Sequence, residues 1–248
     1  ALLENEDWGD PGLSCTLGDD LQLRGGKWFV GDATVAQQFV VVARYQGDPA
    51  LALVAREQLP EGAISPHTLI DETRRASRVD FSGVRVQREN VVLGSGVRSA
   101  LRDYRLLGAL LVAAEATGSA AACLDTTVEY MKTRKQFGKL IGSYQALKHP
   151  AVDILMALDS ARSFIYHAAS VVAEGELDRD AEIACRMAKA QATETLLQAG
   201  DRAVQFHGGM GFTYDCDAQL YIRRAQWSRQ QFGDARHQRK RLAALLLD

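Results

Sequence analysis

Ser99-Ala-Leu-Arg-Asp-Tyr-Arg-Leu-Leu-Gly-Ala-Leu-Leu-Val-Ala-Ala-Glu-Ala-Thr-Gly-Ser-Ala-Ala-Ala-Cys-Leu-Asp-Thr-Thr-Val-Glu-Tyr-Met-Lys132 runs without a proline and is dominated by leucine and alanine. It predicts a single helix about three times the mean length of a globular helix. Downstream, a second helix is expected from Tyr144 to Ala173, with Pro150 kinking it or lying in its first turn. Glu174-Gly175-Glu176 reads as a loop, and a third helix from Ala181 to Phe206 stops at Gly208-Gly209. Shorter helices follow over Asp215–Gln230 and Ala235–Leu247. Long helices joined by short loops predict an up-down helical bundle over residues 98–248.

Upstream of residue 97 the pattern changes to short β-branched segments separated by turn residues. Leu21–Arg24 and Lys27–Val30 flank Gly25-Gly26, a two-residue hairpin signal. Phe39–Ala43 and Leu51–Ala55 flank the turn Gln46-Gly-Asp-Pro49, and Ser77–Phe81 and Val84–Gln87 add further alternation. Residues 1–97 therefore read as an antiparallel β-sandwich or open barrel, and the whole chain as α+β.

With 248 residues and 47% hydrophobic content, the chain can bury one large core or two modest ones. A formal charge of -2, with both signs interspersed, gives no basic surface for nucleic acid or anionic membrane. No apolar run is expected to reach the roughly 20 residues of a membrane span. The opening Ala1–Trp8 is acidic and lacks the pattern of a signal peptide. Cys15, Cys123, Cys185 and Cys216 are widely spaced, which fits reduced buried thiols and a cytoplasmic location. No His, Cys or carboxylate cluster has metal-ligand spacing.

Two helix ends carry the chemistry. Arg134-Lys-Gln-Phe-Gly138 offers a planar guanidinium suited to phosphate oxygens, an amide at Gln136 and a flat ring at Phe137. Gln205-Phe-His-Gly-Gly-Met-Gly-Phe212 offers a second amide, and its glycines let backbone N–H groups approach a ligand closely. That set suits a dinucleotide such as FAD. The plainer reading, in which Arg134 pairs with a carboxylate and the glycines only cap a helix, stands beside it.

The full stretches Thr133-Arg-Lys-Gln-Phe-Gly-Lys-Leu-Ile-Gly-Ser-Tyr-Gln145 and Ala203-Val-Gln-Phe-His-Gly-Gly-Met-Gly-Phe-Thr-Tyr-Asp215, continued by Leu220-Tyr-Ile-Arg-Arg224, resemble the two signatures of the acyl-CoA dehydrogenase flavoproteins. The resemblance implies a strand-rich middle domain followed by the carboxy-terminal bundle, without the helical domain that begins the family fold. It implies that Arg134, Gln136 and Phe137 hold the FAD of a neighbouring subunit, that Ile141 and Tyr144 line it, and that Gln205, Gly208 and Gly209 meet its adenine end. The implied reaction is α,β-dehydrogenation of an acyl-CoA thioester. A carboxylate removes the α-proton, the β-hydrogen leaves as hydride to the flavin, and an electron-transferring flavoprotein accepts the electrons. Arg105 matches a family arginine near the substrate, or is a solvated helix charge. Trp28 lies against a ring system, or is a strand aromatic of the core.

The chain departs from the pattern where the base belongs. Gly233, in Gln231-Phe-Gly-Asp-Ala-Arg236, stands at one family position of the catalytic Glu, and Tyr104 at the other. Asp234 and Asp103 are neighbours, but one residue along a helix turns a side chain by about 100°. Leu3 and Val30 replace hydroxyl residues implied for the flavin ring. Some bacterial members of the family pair two different chains, notably on steroid side-chain CoA thioesters. One chain brings the base and cradles the flavin ring, while the other completes its partner's FAD site. This chain resembles the second kind, in a heterotetramer with a base-bearing paralogue. The alternatives are a self-sufficient homo-oligomer using Asp234 or Asp103, and a fold-mate without dehydrogenase activity. His207 bonds cofactor or is structural, His149 begins a helix, and the basic run Arg236–Arg241 meets phosphates or solvent.

Overall fold

A computed structural model of the chain describes residues 1–173, 175 and 177–247. Glu174 and Glu176 of the expected loop lie outside the described residues, as does Asp248. The chain forms two compact units, Ala1–Tyr104 and Arg105–Asp248. The compositional change at residue 97 coincides with the start of the long helix, α1 (Gly96–Thr133). The units instead divide inside that helix, because its first turns belong to the β unit: Val97 is buried and Arg98 pairs with Asp48 at 2.9 Å.

In the first unit the strands are β1 (Thr16–Leu17), β2 (Leu23–Arg24), β3 (Gly26–Gly31), β4 (Gln38–Tyr45), β5 (Asp48–Ala55), β6 (Ile64–His67), β7 (Ala76–Asp80) and β8 (Val91–Val92). Among the described residues they form one sheet of order β2-β1-β4-β5-β8 and another of order β3-β7-β6. β4 and β5 pair from Gln38↔Ala55 to Tyr45↔Asp48, so the turn is Gln46-Gly47, with φ of 49° and 96°, and Pro49 lies within the strand. Alternate residues Phe39, Val41 and Ala43 meet Ala52 and Val54 in a core shared with Val30 and Val79 of the other sheet and with Phe81, just after β7.

Two expectations are corrected here. Gly25-Gly26 is not a hairpin: β2 and β3 belong to different sheets, and Gly25 (φ 118°) is where the chain crosses between them. A Cβ on Gly25 would stand 3.2 Å from the Cα of Cys15, so the crossing requires glycine. Val84–Gln87 is not a regular strand; it runs beside residues 21–23, held by Leu23 N–H to Val84 O (2.8 Å) and Val86 N–H to Leu21 O (2.9 Å). The larger sheet also contains one parallel pair, β1 with β4.

The second unit is helical. After α1 come a short hairpin, β9 (Lys135–Gln136) and β10 (Lys139–Leu140), and then α2 (Gln145–Ala173), α3 (Arg179–His207), α4 (Ala218–Gln230) and α5 (Ala235–Leu247). Pro150 falls in the second turn of α2. Asp178 caps α3 by accepting from Ala181 N–H at 2.9 Å. The core is built largely of alanine at helical spacing: Ala113, Ala116 and Ala120 on α1, Ala161 and Ala168 on α2, and Ala188, Ala192 and Ala199 on α3. Such small side chains let helix axes approach closely.

α1 also corrects the membrane-span expectation. It contains a window of mean hydropathy 1.6 that is long and apolar enough, by length and composition, to cross a bilayer. Alanine explains the value, since it raises hydropathy while serving as the packing residue of a bundle. In α1 the stripe Leu106, Ala109, Ala113, Ala116, Ala120 and Cys123 is buried.

Candidate functional site

The first motif begins where α1 ends. Arg134 N–H donates to Tyr130 O and Ile141 N–H to Arg134 O, both at 2.9 Å, so the hairpin is hung directly on the last helical turn. Its turn is Phe137-Gly138, with φ of 53° and 76°. A phenylalanine in the left-handed region costs about 1–2 kcal/mol, and this one is 92% exposed at the hairpin tip. Strain on an exposed ring has no return within the chain itself. Tyr144 Oη donates to Gln136 O at 3.3 Å, and Gln136 Nε2 donates to Lys135 O at 2.8 Å. Ile141 is buried and anchors the hairpin's far end.

The second motif closes α3. His207 is buried, its Nδ1 lies 2.7 Å from Ala203 O, and its ring stacks on Tyr130 at 4.1 Å. Of the two roles open in the sequence, His207 therefore fills the structural one, clamping the end of α1 to the end of α3. Gly208 turns left-handed (φ 63°) and ends the helix. Among the described residues, and apart from the chain neighbours themselves, no heavy atom lies within 4 Å of where a Cβ would stand on Gly208 or Gly209.

Between these ends lies a cavity of about 480 Å³, lined by Gln136, Phe137, Ile141, Tyr144, Ala146, Leu147, Arg202, Gln205 and Phe206. That volume is within the range of small-molecule sites. Five of the expected cofactor residues meet there. The Arg134 side chain is exposed outside the wall, and its guanidinium has no hydrogen-bond or ion-pair partner among the described residues. Gly208 and Gly209 follow Gln205 and Phe206 on the same helix end. Ala146, Leu147, Arg202 and Phe206 were not anticipated, although Arg202 and Phe206 share the helical face of Gln205 by i, i+3 and i+4 spacing, a signal present in the sequence.

Trp28 lies in the β unit, half-buried beside His67 (6.0 Å between rings), with the Arg78 guanidinium 5.5 Å from its ring. Phe29, with φ 49° at a β-bulge, lies between Trp8 at 4.8 Å and His67 at 4.9 Å. Val30 packs in the core, and the Leu3 carbonyl accepts from Trp28 N–H at 2.8 Å.

The base positions carry no carboxylate poised to act. Gly233 adopts φ 92° directly after Phe232 at φ 58°, and both values fall in the left-handed region. The Phe232 ring rests against Gly108 of α1, where a Cβ would collide with it. Asp234 Oδ1 accepts from His237 N–H at 2.8 Å and caps α5, and Asp103 pairs with Arg102 at 3.2 Å. Beneath the turn, buried Lys189 donates to Arg229 O (3.2 Å) and Gly233 O (3.1 Å), while Gln238 donates to Phe232 O (2.8 Å). Burial pulls the Lys189 ammonium down to about 7, against the opposing pull of Asp234. Tyr104 is exposed and Arg105 half-buried on α1. In the basic run, Arg239 makes a two-point pair with Glu194, while Arg236, Lys240 and Arg241 are exposed. The four cysteines are free and buried, with burial pushing Cys123 up to about 12 and Cys185 to about 11.

Fold and geometry define the class: a β-sheet unit followed by a helical bundle whose helix ends border a cavity of about 480 Å³. The chain belongs to the acyl-CoA dehydrogenase family, its residues 94–247 matching the acyl-CoA dehydrogenase C-terminal domain. It is 34% identical over 220 residues to acyl-CoA dehydrogenase IpdE2 of Mycolicibacterium smegmatis, covering 87% of this chain and 63% of that protein. Butyryl-CoA dehydrogenase from Megasphaera elsdenii superposes with a TM-score of 0.88 at 25% identity, over 100% of this chain and 67% of that one. A chain of the ChsE4-ChsE5 complex from Mycobacterium tuberculosis superposes with a TM-score of 0.83 at 26% identity, over 97% and 65%. The chain thus spans about two thirds of the length of these relatives. FAD is the cofactor indicated by this membership.

Proposed function

We propose that this chain is the subunit of an acyl-CoA dehydrogenase that completes a neighbour's FAD site without supplying the catalytic base. One contrast carries this reading. The cavity side of the chain is assembled, with Gln136, Phe137, Tyr144 and Gln205 around one space and open room above Gly209. The base side is closed, with Gly233 in a left-handed turn and Asp234 occupied as a helix cap. Bound FAD supplies the hydride acceptor for α,β-dehydrogenation of an acyl-CoA thioester. The residues of this chain hold and orient its nucleotide portion, Phe137 and Tyr144 by ring contact and Gln136, Gln205 and Arg134 by hydrogen bonds. A carboxylate of a base-bearing paralogue takes the α-proton, and an electron-transferring flavoprotein receives the electrons. A self-sufficient dehydrogenase would need Asp234 or Asp103 to give up the bonds described above.

The test is co-expression with a base-bearing paralogue, followed by a count of FAD per chain and an acyl-CoA oxidation assay. The 248-residue chain alone should retain little FAD and oxidise no acyl-CoA, whereas the complex should be yellow and active. Arg134→Gln in this chain should lower the FAD content of the complex. Steady turnover by the lone chain would overturn the proposal.

A further inference from the structure

Half-buried rings gather in the β unit where β3 carries its bulge. The pairing with β7 slips between Lys27↔Val79 and Val30↔Ser77, so Trp28 and Phe29 together stand opposite Arg78. Consecutive side chains of a regular strand point to opposite faces. Here Phe29 takes φ 49°, a left-handed value that costs a bulky residue energy, and both rings reach one imidazole. His67 lies 4.9 Å from Phe29 and 6.0 Å from Trp28. Trp8 adds a second contact to Phe29 at 4.8 Å. It is brought there by a turn in which Asp7 Oδ1 accepts from Gly9 N–H (2.9 Å) and Asp10 N–H (3.1 Å).

The cluster is closed at a cost. His67 Nε2 is shut off from solvent without a hydrogen-bond partner among the described residues. A strained φ and an orphaned imidazole nitrogen are both tolerated, so ring packing outweighs hydrogen bonding here. The Trp28 ring, which the family resemblance sets against a flavin, already meets Phe29, His67 and the Arg78 guanidinium.

We propose that Trp8 and Phe29 are an internal substitute for a flavin ring, so that this chain's own β unit excludes the cofactor ring. This rests on the reading of the chain as the subunit that completes a neighbour's FAD site. It extends that reading from the missing base to the cofactor: Trp8 and Phe29 decide which chain of the pair cradles a flavin ring.

Riboflavin is the probe, because it carries the ring without the phosphates and adenine held at the helix ends. Quenching of its fluorescence is titrated with the purified 248-residue chain and with Trp8→Gly, Phe29→Gly and the double variant. Wild type should bind riboflavin weakly, and the double variant at least about tenfold more tightly, the scale of one freed ring contact. Glycine takes a positive φ without a Cβ penalty, so Phe29→Gly should keep the wild-type circular dichroism. If wild type binds as tightly as the double variant, or a folded variant gains nothing, the rings are core packing and exclude no cofactor. The complex with a base-bearing paralogue supplies a second measurement that needs no variant of the cluster. It should hold one FAD per two chains. One FAD per chain would overturn the exclusion, while a loss of FAD on Arg134→Gln would still uphold the neighbour's site. A complex without FAD would sink the neighbour's site instead, leaving riboflavin to judge the rings alone.

Discussion

Among the described residues, nothing beyond its own chain neighbours comes within 4 Å of a Cβ built on Gly209, and its φ is not in the left-handed region. Glycine there answers neither a packing need nor a backbone need of the chain itself. The space is available to a group from outside, which is the fit expected of a cofactor brought against the helix end. Gly209→Ala should therefore leave the melting temperature unchanged or slightly raised, since alanine restricts the unfolded chain. In the complex with its partner, the same variant should lower FAD content. A large loss of stability would show that glycine serves the fold instead. Gly233 is the opposite case, because its φ of 92° makes glycine a requirement of the backbone. The sequence displays both glycines alike. It shows that a Glu is missing at position 233, but the left-handed turn that disfavours any L side chain there is visible only in the backbone.

At the scale of elements, the helices were legible because long stretches rich in leucine and alanine, without proline and closed by glycine, favour helix over strand. The ends of α1, α2 and α3 fall within a few residues of the expected positions, and the capping bond of Asp178 explains why α3 starts ahead of Ala181. The β unit was less legible because Gly25-Gly26 has the composition of a hairpin and the geometry of a crossover, and sequence distance says nothing about which sheet receives the next strand. What holds the preceding segment to β3 is electrostatic. Glu4 accepts from Lys27 Nζ, Ser14 N–H, Ser14 Oγ and Cys15 N–H, and the Lys27 and Glu4 side chains are both buried. Burial alone would raise the Glu4 carboxyl, but these hydrogen bonds outweigh it and hold the group below its ordinary value. A depressed carboxylate contributes stability above its unfolded value, and this is lost as pH falls through the folded value. Glu4→Gln leaves the Lys27 ammonium buried without its counter-charge and should cost about 3–5 kcal/mol. Adding Lys27→Met should recover much of that loss. Urea midpoints followed by tryptophan fluorescence check both, and a single variant as stable as wild type would show that the pair holds nothing.

At the scale of the whole molecule, the buried titratable groups make stability depend on pH in a way that surface charge does not. Lys189 is held near 7 in the folded chain and returns to its ordinary value near 10.5 when unfolded. Between those limits the unfolded chain binds the extra proton, so raising pH favours folding, by at most about 1.4 kcal/mol per pH unit for one group. The thiols act in the opposite sense. Cys123 and Cys185 are pushed up to about 12 and 11 from an ordinary value of 9.0, so above about pH 9 it is the folded chain that holds more protons. Stability from these three groups should rise from pH 7 to about 9 and then flatten or fall. Lys189→Met isolates the first contribution, because the thiols remain in both proteins and cancel in the difference. The variant also strands the carbonyls of Arg229 and Gly233, so it should be less stable where the Lys189 amine is neutral. The free-energy gap between wild type and variant should widen in favour of the wild type from pH 7 towards pH 10. A gap that stays flat over that range would mean that Lys189 keeps its proton in the fold, with the charge stabilised by the two carbonyls and Asp234. The turn at Gly233 would then be held by an ammonium ion throughout.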